Sequence, residues 1–337
     1  MSKAQAAAIR SPTTMEAAEP EVSVVVATRD RVQRLLRLIA SLRSQTIAPD
    51  RFEVIVVDDG SSDGTLDLLA AERSRCQFAL HALEHHGGGG PGAVRNTGLR
   101  EARGKLVAFT DDDCEADPGW LEAFLAAWSR DDHHALQGST TPIEAELDRQ
   151  GLMTYTYDIR ETDLNFPACN MAYPRALIEH LGGFDASTFP RTGEDCDLAW
   201  RAIETGVEID FVPAARVRHA VVQMDARSTL RRAWRWGDAM PAFARHPELR
   251  RRRLFHRVFF NWSHWYLVRL AIALALPRRR ALWPLKWWLA HRYFEDRRWA
   301  PGADSPSARA LAWNLVADSV ETVAVVRGSL RSGTVVL

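Results

Sequence analysis

The chain has 337 residues, 46% hydrophobic and 26% charged, with 43 Lys+Arg balancing 43 Asp+Glu. That length supports about two domains with a sizeable core, and the composition excludes a small disulfide scaffold, a collagen-like chain and wholesale disorder. The neutrality is a cancellation, because residues 227–298 carry 18 Lys+Arg against 4 Asp+Glu and the remainder carries the matching acidic excess. With Trp299 the basic stretch holds eight of the 12 tryptophans, which places a boundary near residue 226.

Residues 1–20 are rich in Ala, Ser, Thr and Pro and lack the apolar core of a signal peptide, so they read as a disordered leader of a non-secreted protein. Cys76, Cys114, Cys169 and Cys196 form no CxxC pair, and neither a zinc site nor a disulfide framework is indicated. Val22-Ser-Val-Val-Val-Ala has the pattern of a strand buried on both faces. A helix over Arg31 to Gln45 follows, then a strand over Phe52 to Val57 that ends in Asp58-Asp59-Gly60, and a helix from Leu66 to Arg73. Phe78 to Leu83 is a third strand. The run Gly87 to Gly90, after His85 and His86, has neither P-loop nor Rossmann spacing and reads as a flexible connection to a helix over Ala93 to Ala102. Lys105 to Thr110 is a fourth strand, with Asp111-Asp112-Asp113 at its end. This alternation predicts βαβ units and a parallel sheet, whose ligands bind beyond the carboxyl ends of the strands, where both acidic clusters fall.

A helix from Trp120 to Ser129 and a strand over Ala135 to Thr140 come next. Thr141 to Asn165 reads as a loop over a site, Phe166 to Tyr173 as ordered chain, and Arg175 to Leu181 as a helix. Gly193-Glu194-Asp195 opens another helix, its acids suiting the dipole. Ile209 to Val212 and Ala215 to Ala220 are short strands. Three successive aspartates call for a cation nearby. A Mg²⁺ or Mn²⁺ ion is the economical one, against the plain alternative of a solvated acidic turn.

Six segments resemble the signature of family 2 glycosyltransferases with the GT-A fold. They are Val24-Val-Val-Ala-Thr-Arg-Asp, Val54-Ile-Val-Val-Asp-Asp-Gly-Ser-Ser-Asp-Gly-Thr, Ala93-Val-Arg-Asn-Thr-Gly, Ala108-Phe-Thr-Asp-Asp-Asp, Gly182-Gly-Phe-Asp and Gly193-Glu-Asp-Cys-Asp-Leu, in the family's order over residues 21–222. The resemblance implies a Rossmann-like, mostly parallel α/β sheet with flanking helices, followed by a C-terminal helical region. It implies that Thr28 and Arg29 line the nucleotide base pocket, that Asp59 bonds the uracil ring and that Arg95 lies beside the diphosphate. It further implies that Asp111 and Asp113 are the ends of a DxD motif, with Asp113 the main metal ligand and Asp112 facing the ribose or donor sugar. Asp195 matches the general base, and His219 a histidine that binds metal in some members. Glu194 either orients the base or is a plain helix N-terminal acid. Asn170 either faces the acceptor or caps backbone, and Arg201 reads as a structural ion-pair residue.

The basic region reads as helices over Leu230 to Phe243, Leu254 to Leu276 and Ala281 to Phe294, none apolar for long enough to span a membrane. Tryptophans mixed with Arg250 to Arg253 and Arg278 to Arg280 favour an interfacial anchor on an anionic membrane. Packing on the catalytic domain stands second, and nucleic-acid binding last, because no recognised module accompanies it. A final helix from Pro306 to Arg327 is capped by Ser305.

The expected organisation is a leader over 1–20, a GT-A domain over 21–225, the basic helical region over 226–300 and a C-terminal helix and tail over 301–337. The expected activity is inverting transfer from a nucleoside-diphosphate sugar, with UDP favoured, to an unknown glycan, lipid-linked or small-molecule acceptor. The expected location is cytoplasmic, with peripheral attachment to the inner membrane face. A nucleotidylyltransferase and a catalytically silent binding module are the alternatives.

Overall fold

The computed structural model describes residues 19–128, 134–303 and 305–337, so the expected leader falls outside the described residues except for Glu19 and Pro20. Strand β1 (Val22–Thr28), helix α1 (Val32–Leu42), β2 (Phe52–Asp58), α2 (Thr65–Arg73), β3 (Ala79–Glu84), α3 (Gly90–Glu101) and β4 (Leu106–Asp111) form the expected alternating first half. There follow β5 (Cys114–Ala116), α4 (Trp120–Ala127), β6 (His134–Pro142), β7 (Thr154–Tyr155), β8 (Asn170–Pro174), α5 (Arg175–His180), α6 (Glu194–Glu204), β9 (Glu208–His219) and β10 (Val222–Gln223). The eight-stranded sheet has the order β3-β2-β1-β4-β8-β6-β9-β5, and β7 pairs with β10 apart from it. Strands β3, β2, β1 and β4 are parallel, whereas β8 runs antiparallel to both neighbours and β5 to β9.

Strand order reverses between β1 and β4, and at that switch point the crevice opens beyond their carboxyl ends, at Thr28 and Asp111. The valines of β1 explain its central place, since Val25 packs into one apolar layer and Val22, Val24 and Val26 into the other. The two short strands expected over 209–220 are one strand, β9, which stays paired to β6 through an irregularity opposite Gly138 and Ser139. Thr141 to Asn165, expected as a loop, contains a 3₁₀ turn over Glu144–Arg149 and β7, and Thr140 bridges to Ile159.

Asn170 is buried and takes the backbone role. Its amide donates to the carbonyls of Ser139 (2.8 Å) and Ala215 (2.9 Å), while its oxygen accepts from the Trp120 indole (2.9 Å). Only a glycine fits opposite, because a Cβ on Gly138 would lie 2.3 Å from the Asn170 amide nitrogen. Asn170→Ala orphans three buried groups and is expected to cost about 2–3 kcal/mol, read as a lower denaturant midpoint at unchanged slope.

The C-terminal region comprises α7 (Ala226–Arg235), α8 (Met240–Arg245), α9 (Pro247–Arg253), α10 (Trp262–Ala275), α11 (Trp283–Arg297) and α12 (Ala308–Ser332). The long helix expected from Leu254 starts at Trp262 instead. His256 and Arg257 have positive φ, and Phe260 donates to the Leu337 carbonyl, a tertiary bond that replaces helix there. The cap of α12 is Ser307, which accepts from Ala310 N–H, rather than Ser305. The structure divides the two leading readings of this region. Met240, Phe243, Leu249, Phe260 and Val325 join one apolar layer with Phe189 and Trp200 across residue 226, whereas the α10–α11 tip lies outside it.

Candidate active site

Two loops at the carboxyl edge are knitted together by short polar side chains. Asp58 is spent locally, accepting from the Ser61 N–H and hydroxyl, which leaves Asp59 half-buried and paired with Arg29 at 3.2 Å. Asp30 Oδ1 accepts from Ser62 N–H (2.8 Å), and Asp63 Oδ2 from Val32 N–H (2.9 Å), so the β1–α1 and β2–α2 loops hold each other. Arg29 and Asp59 thus face the same open side of the crevice.

The aspartate triplet is split three ways. Asp112 points inward, accepting from the Thr28 hydroxyl (2.9 Å) and from Arg31 (2.8 Å), and Thr28 is committed to that bond. Burial and then the charge of Asp113 push the Asp112 carboxyl up to about 6, against the pull of Arg31. Arg31 also donates to Asp113 Oδ2 (3.0 Å), and Arg34 lies 3.4 Å from the same oxygen. These arginines supply the cations that the triplet demanded. Sequence reasoning sought a metal and passed over them, although they start the helix after the strand that adjoins β4.

Asp113 Oδ1 is buried without a hydrogen-bond partner and faces His219 Nε2 at 3.4 Å. His219, at the end of β9, makes a 2.7 Å contact from Nδ1 to the Ala220 carbonyl. That bond requires the proton on Nδ1, and in the neutral ring it leaves a lone pair on Nε2 directed at a carboxylate oxygen. A carboxylate and an imidazole so placed fit Mg²⁺ or Mn²⁺. Cys114 Sγ, within 4.8 Å of these atoms, is a soft donor that such ions do not seek. Tyr157 packs edge-on against the His219 ring at 5.0 Å, and Tyr155 lies at 5.7 Å with Arg232 of α7 stacked over it at 4.5 Å. These tyrosines, inside the segment expected to cover the site, were not singled out in the sequence.

Asp111 faces the other way. Arg95, buried in α3, donates to Asp111 (2.9 Å) and to Glu194 (3.0 Å), and so ties the end of β4 to the start of α6. Burial alone would depress its guanidinium, but Asp111 and Glu194 keep it firmly charged. The link is tightly built, since a Cβ on Gly92 would meet Glu194 at 3.0 Å and one on Gly90 would strike the Pro190 carbonyl at 2.0 Å. Of the glycine run only Gly90 makes such an approach, to the loop before α6, whereas a Cβ on Gly87 or Gly88 would meet nothing within 4 Å. Asn96 brackets Phe184, donating to its carbonyl (2.8 Å) and accepting from its N–H (2.9 Å).

Burial and the neighbouring Asp195 push Glu194 up to about 7. Asp195 is half-buried and is also raised by burial, although its oxygens accept from the Cys196 and Ala168 N–H groups. Beside it lies a cavity of about 70 Å³ lined by Tyr157, Asn165, Trp236, Phe243 and Phe260, so the C-terminal helices supply one wall. Arg201 has the structural role expected of it, bridging Asp197 (2.7 Å) and the carbonyls of Leu181 and Gly183.

Residues 106–294 match the model of glycosyl transferase family group 2, and residues 23–179 that of glycosyl transferase family 2. The chain belongs to glycosyltransferase family 2. A pre-mycofactocin glycosyltransferase of Mycobacterium tuberculosis is 32% identical over 246 residues, covering 68% of this chain and 48% of the relative. A validoxylamine A glucosyltransferase of Streptomyces hygroscopicus subsp. limoneus is 30% identical, covering 56% and 49%. The chain spans about half the length of these curated relatives. The mannosyltransferase PcManGT of Pyrobaculum calidifontis, solved with GDP-Man and Mn²⁺, has a TM-score of 0.63 at 21% identity, over 90% of this chain and 87% of that one. TarS 1-349 of Staphylococcus aureus, solved with UDP, has a TM-score of 0.52 at 18% identity, over 93% and 92%. This family 2 glycosyltransferase chain therefore has the GT-A fold that its sequence implied, and the family match stands against the nucleotidylyltransferase alternative.

Proposed function

We propose that this chain transfers a sugar, with inversion, from a nucleoside-diphosphate sugar to an acceptor hydroxyl, and that a uridine nucleotide is its donor. The observation that carries the reading is the Arg95 bridge, which puts Asp111 of the acidic strand end and the Glu194-Asp195 helix start on one crevice. The family's membership and two structural neighbours solved with UDP or with GDP-Man and Mn²⁺ support a nucleotide-sugar donor.

In this reading Asp59 and Arg29 receive the base at the open edge, and Thr28 and Asp112 hold Arg31 in place beneath it. Asp113 and His219 would hold the divalent ion, while Asp111 stays paired with Arg95. When bound, Mg²⁺ or Mn²⁺ supplies positive charge against which the nucleoside diphosphate can leave. Asp195 accepts the proton of the acceptor hydroxyl, in a site where burial keeps its carboxylate more basic than usual. Glu194, held by Arg95, orients that helix start. The aromatic cavity beside Asp195 supports delivery of the acceptor from the side of the C-terminal helices, so residues 21–225 bind the donor and later residues complete the acceptor wall. Titration of UDP with and without Mn²⁺ tests the donor half of this reading, and substitution of Asp195 tests the chemical half.

A further inference from the structure

The 46 residues from Leu249 to Phe294 contain 11 Lys and Arg and no Asp or Glu. Within them, the end of α10, the turn Arg278-Arg279-Arg280 and the start of α11 form a hairpin tip that is exposed on nearly every side. Ile272 is 47% exposed, Leu274 75%, Trp283 67%, Leu285 44%, Trp287 67% and Trp288 58%. Among the described residues, nine of the 15 exposed large apolar side chains lie between Trp262 and Trp299. Scattered exposed apolar residues are ordinary, but a concentration of this kind marks an interaction surface.

The base of the hairpin is built differently. Tyr293 donates to Asp318 (2.9 Å), Arg297 pairs with the same carboxylate (2.6 Å), and Asn261 donates to Glu321 (2.5 Å), pinning both helices to α12. Arg269 is folded inward over the Trp288 ring at 4.5 Å and donates to the Trp288 carbonyl. A polar staple thus carries an apolar, cationic tip. Helix α12 in turn places Val325 in the apolar layer that holds Phe189 and Trp200, so the base of the hairpin is joined to the body of the fold.

We propose that this tip docks on the surface of an anionic lipid bilayer. Protein interfaces also take Trp and Arg but deplete Lys; here Lys286 sits between Leu285 and Trp287, the arginines stand between the two apolar helix ends, and no Asp or Glu falls among residues 249–294 to pair with them. A bilayer interface accommodates this mixture, with indoles at headgroup depth and long cationic side chains reaching lipid phosphates. The helices lie on the membrane, since no helix among the described residues is long and apolar enough to cross one.

The test is flotation of the full chain with vesicles of phosphatidylglycerol and phosphatidylcholine, against phosphatidylcholine alone, at low and high salt. The chain is expected to float with the anionic vesicles at low salt and to be released at high salt. R278E/R279E/R280E should bind roughly 100-fold more weakly, and W283S/W287S, at two indoles each 67% exposed, should also lose binding, both with an unchanged melting temperature. Absence of flotation, equal binding to neutral vesicles, or indifference to charge reversal overturns the proposal. So does a dimer in light scattering that W283S/W287S dissolves, because a second copy would then cover the tip.

Discussion

Asp195→Asn is expected to lower kcat for sugar transfer by roughly 10²–10⁴-fold while leaving UDP affinity within about twofold. The substitution keeps the shape of the side chain and removes only its capacity to take a proton, so a loss confined to kcat identifies the base. The wild-type pH profile carries the same information with a definite sign. Transfer needs the ionised carboxylate, and burial raises both Asp195 and Glu194, the latter to about 7. Activity should therefore rise with pH along an acid limb displaced above the ordinary carboxylate range of about 4, and the limb belongs to the pair as a coupled unit. Steady-state rates between pH 5 and 9 check this. A profile already flat at pH 5, or an Asp195→Asn enzyme with wild-type kcat, would remove Asp195 from the role of base, and absence of transfer by the wild type would favour the catalytically silent alternative.

Arg95→Met is expected to be the most destabilising single change in the crevice. Arg95 is 6% exposed and bridges two carboxylates, and Glu194 Oε2 already lacks a partner. Removing the guanidinium leaves a buried negative charge uncompensated, a change that costs about 3–5 kcal/mol. At roughly 2 °C or more per kcal/mol for a chain of this size, the melting temperature should fall by about 6–10 °C. The loss should depend on pH. Without Arg95 the folded-state pKa of Glu194 rises further above its unfolded value, so the cost is small at pH 5, where the group is protonated, and grows as pH rises through neutrality. Arg95→Met/Glu194→Gln should recover most of the stability at pH 8. Equal losses at pH 5 and pH 8 would mean that packing, including the Arg95 stack on Phe184, matters more than charge.

The parallel half of the sheet was legible because its signals are local. Valine runs mark β1 and β2, turn residues follow them, and the acids fall at strand ends. The ordered motifs also gave the site its members, and the structure brings Arg95, Asp111 and Glu194 into contact although 99 positions separate the outer pair. What stayed hidden depends on partners distant in sequence. Nothing near Arg31 announces that it neutralises Asp112 and Asp113, more than 80 positions away. Asn170 became a backbone clamp because β6 and β9 present carbonyls to it. The break before α10 coincides with the bond from Phe260 N–H to the carbonyl of Leu337, 77 positions away. The two-fold charge pattern was visible from composition, but whether its apolar groups were buried was not, since Phe243 and Phe260 enter the core while Trp283 and Trp287 do not.

The most direct test of the account is calorimetric titration of UDP into the wild-type chain and into Asp113→Ala, each with Mn²⁺ and with EDTA. Wild type is expected to bind UDP in Mn²⁺ and to lose roughly tenfold or more in EDTA, and Asp113→Ala to bind weakly and identically in both. Absence of UDP binding to the wild type, or binding indifferent to Mn²⁺ in both proteins, would contradict it.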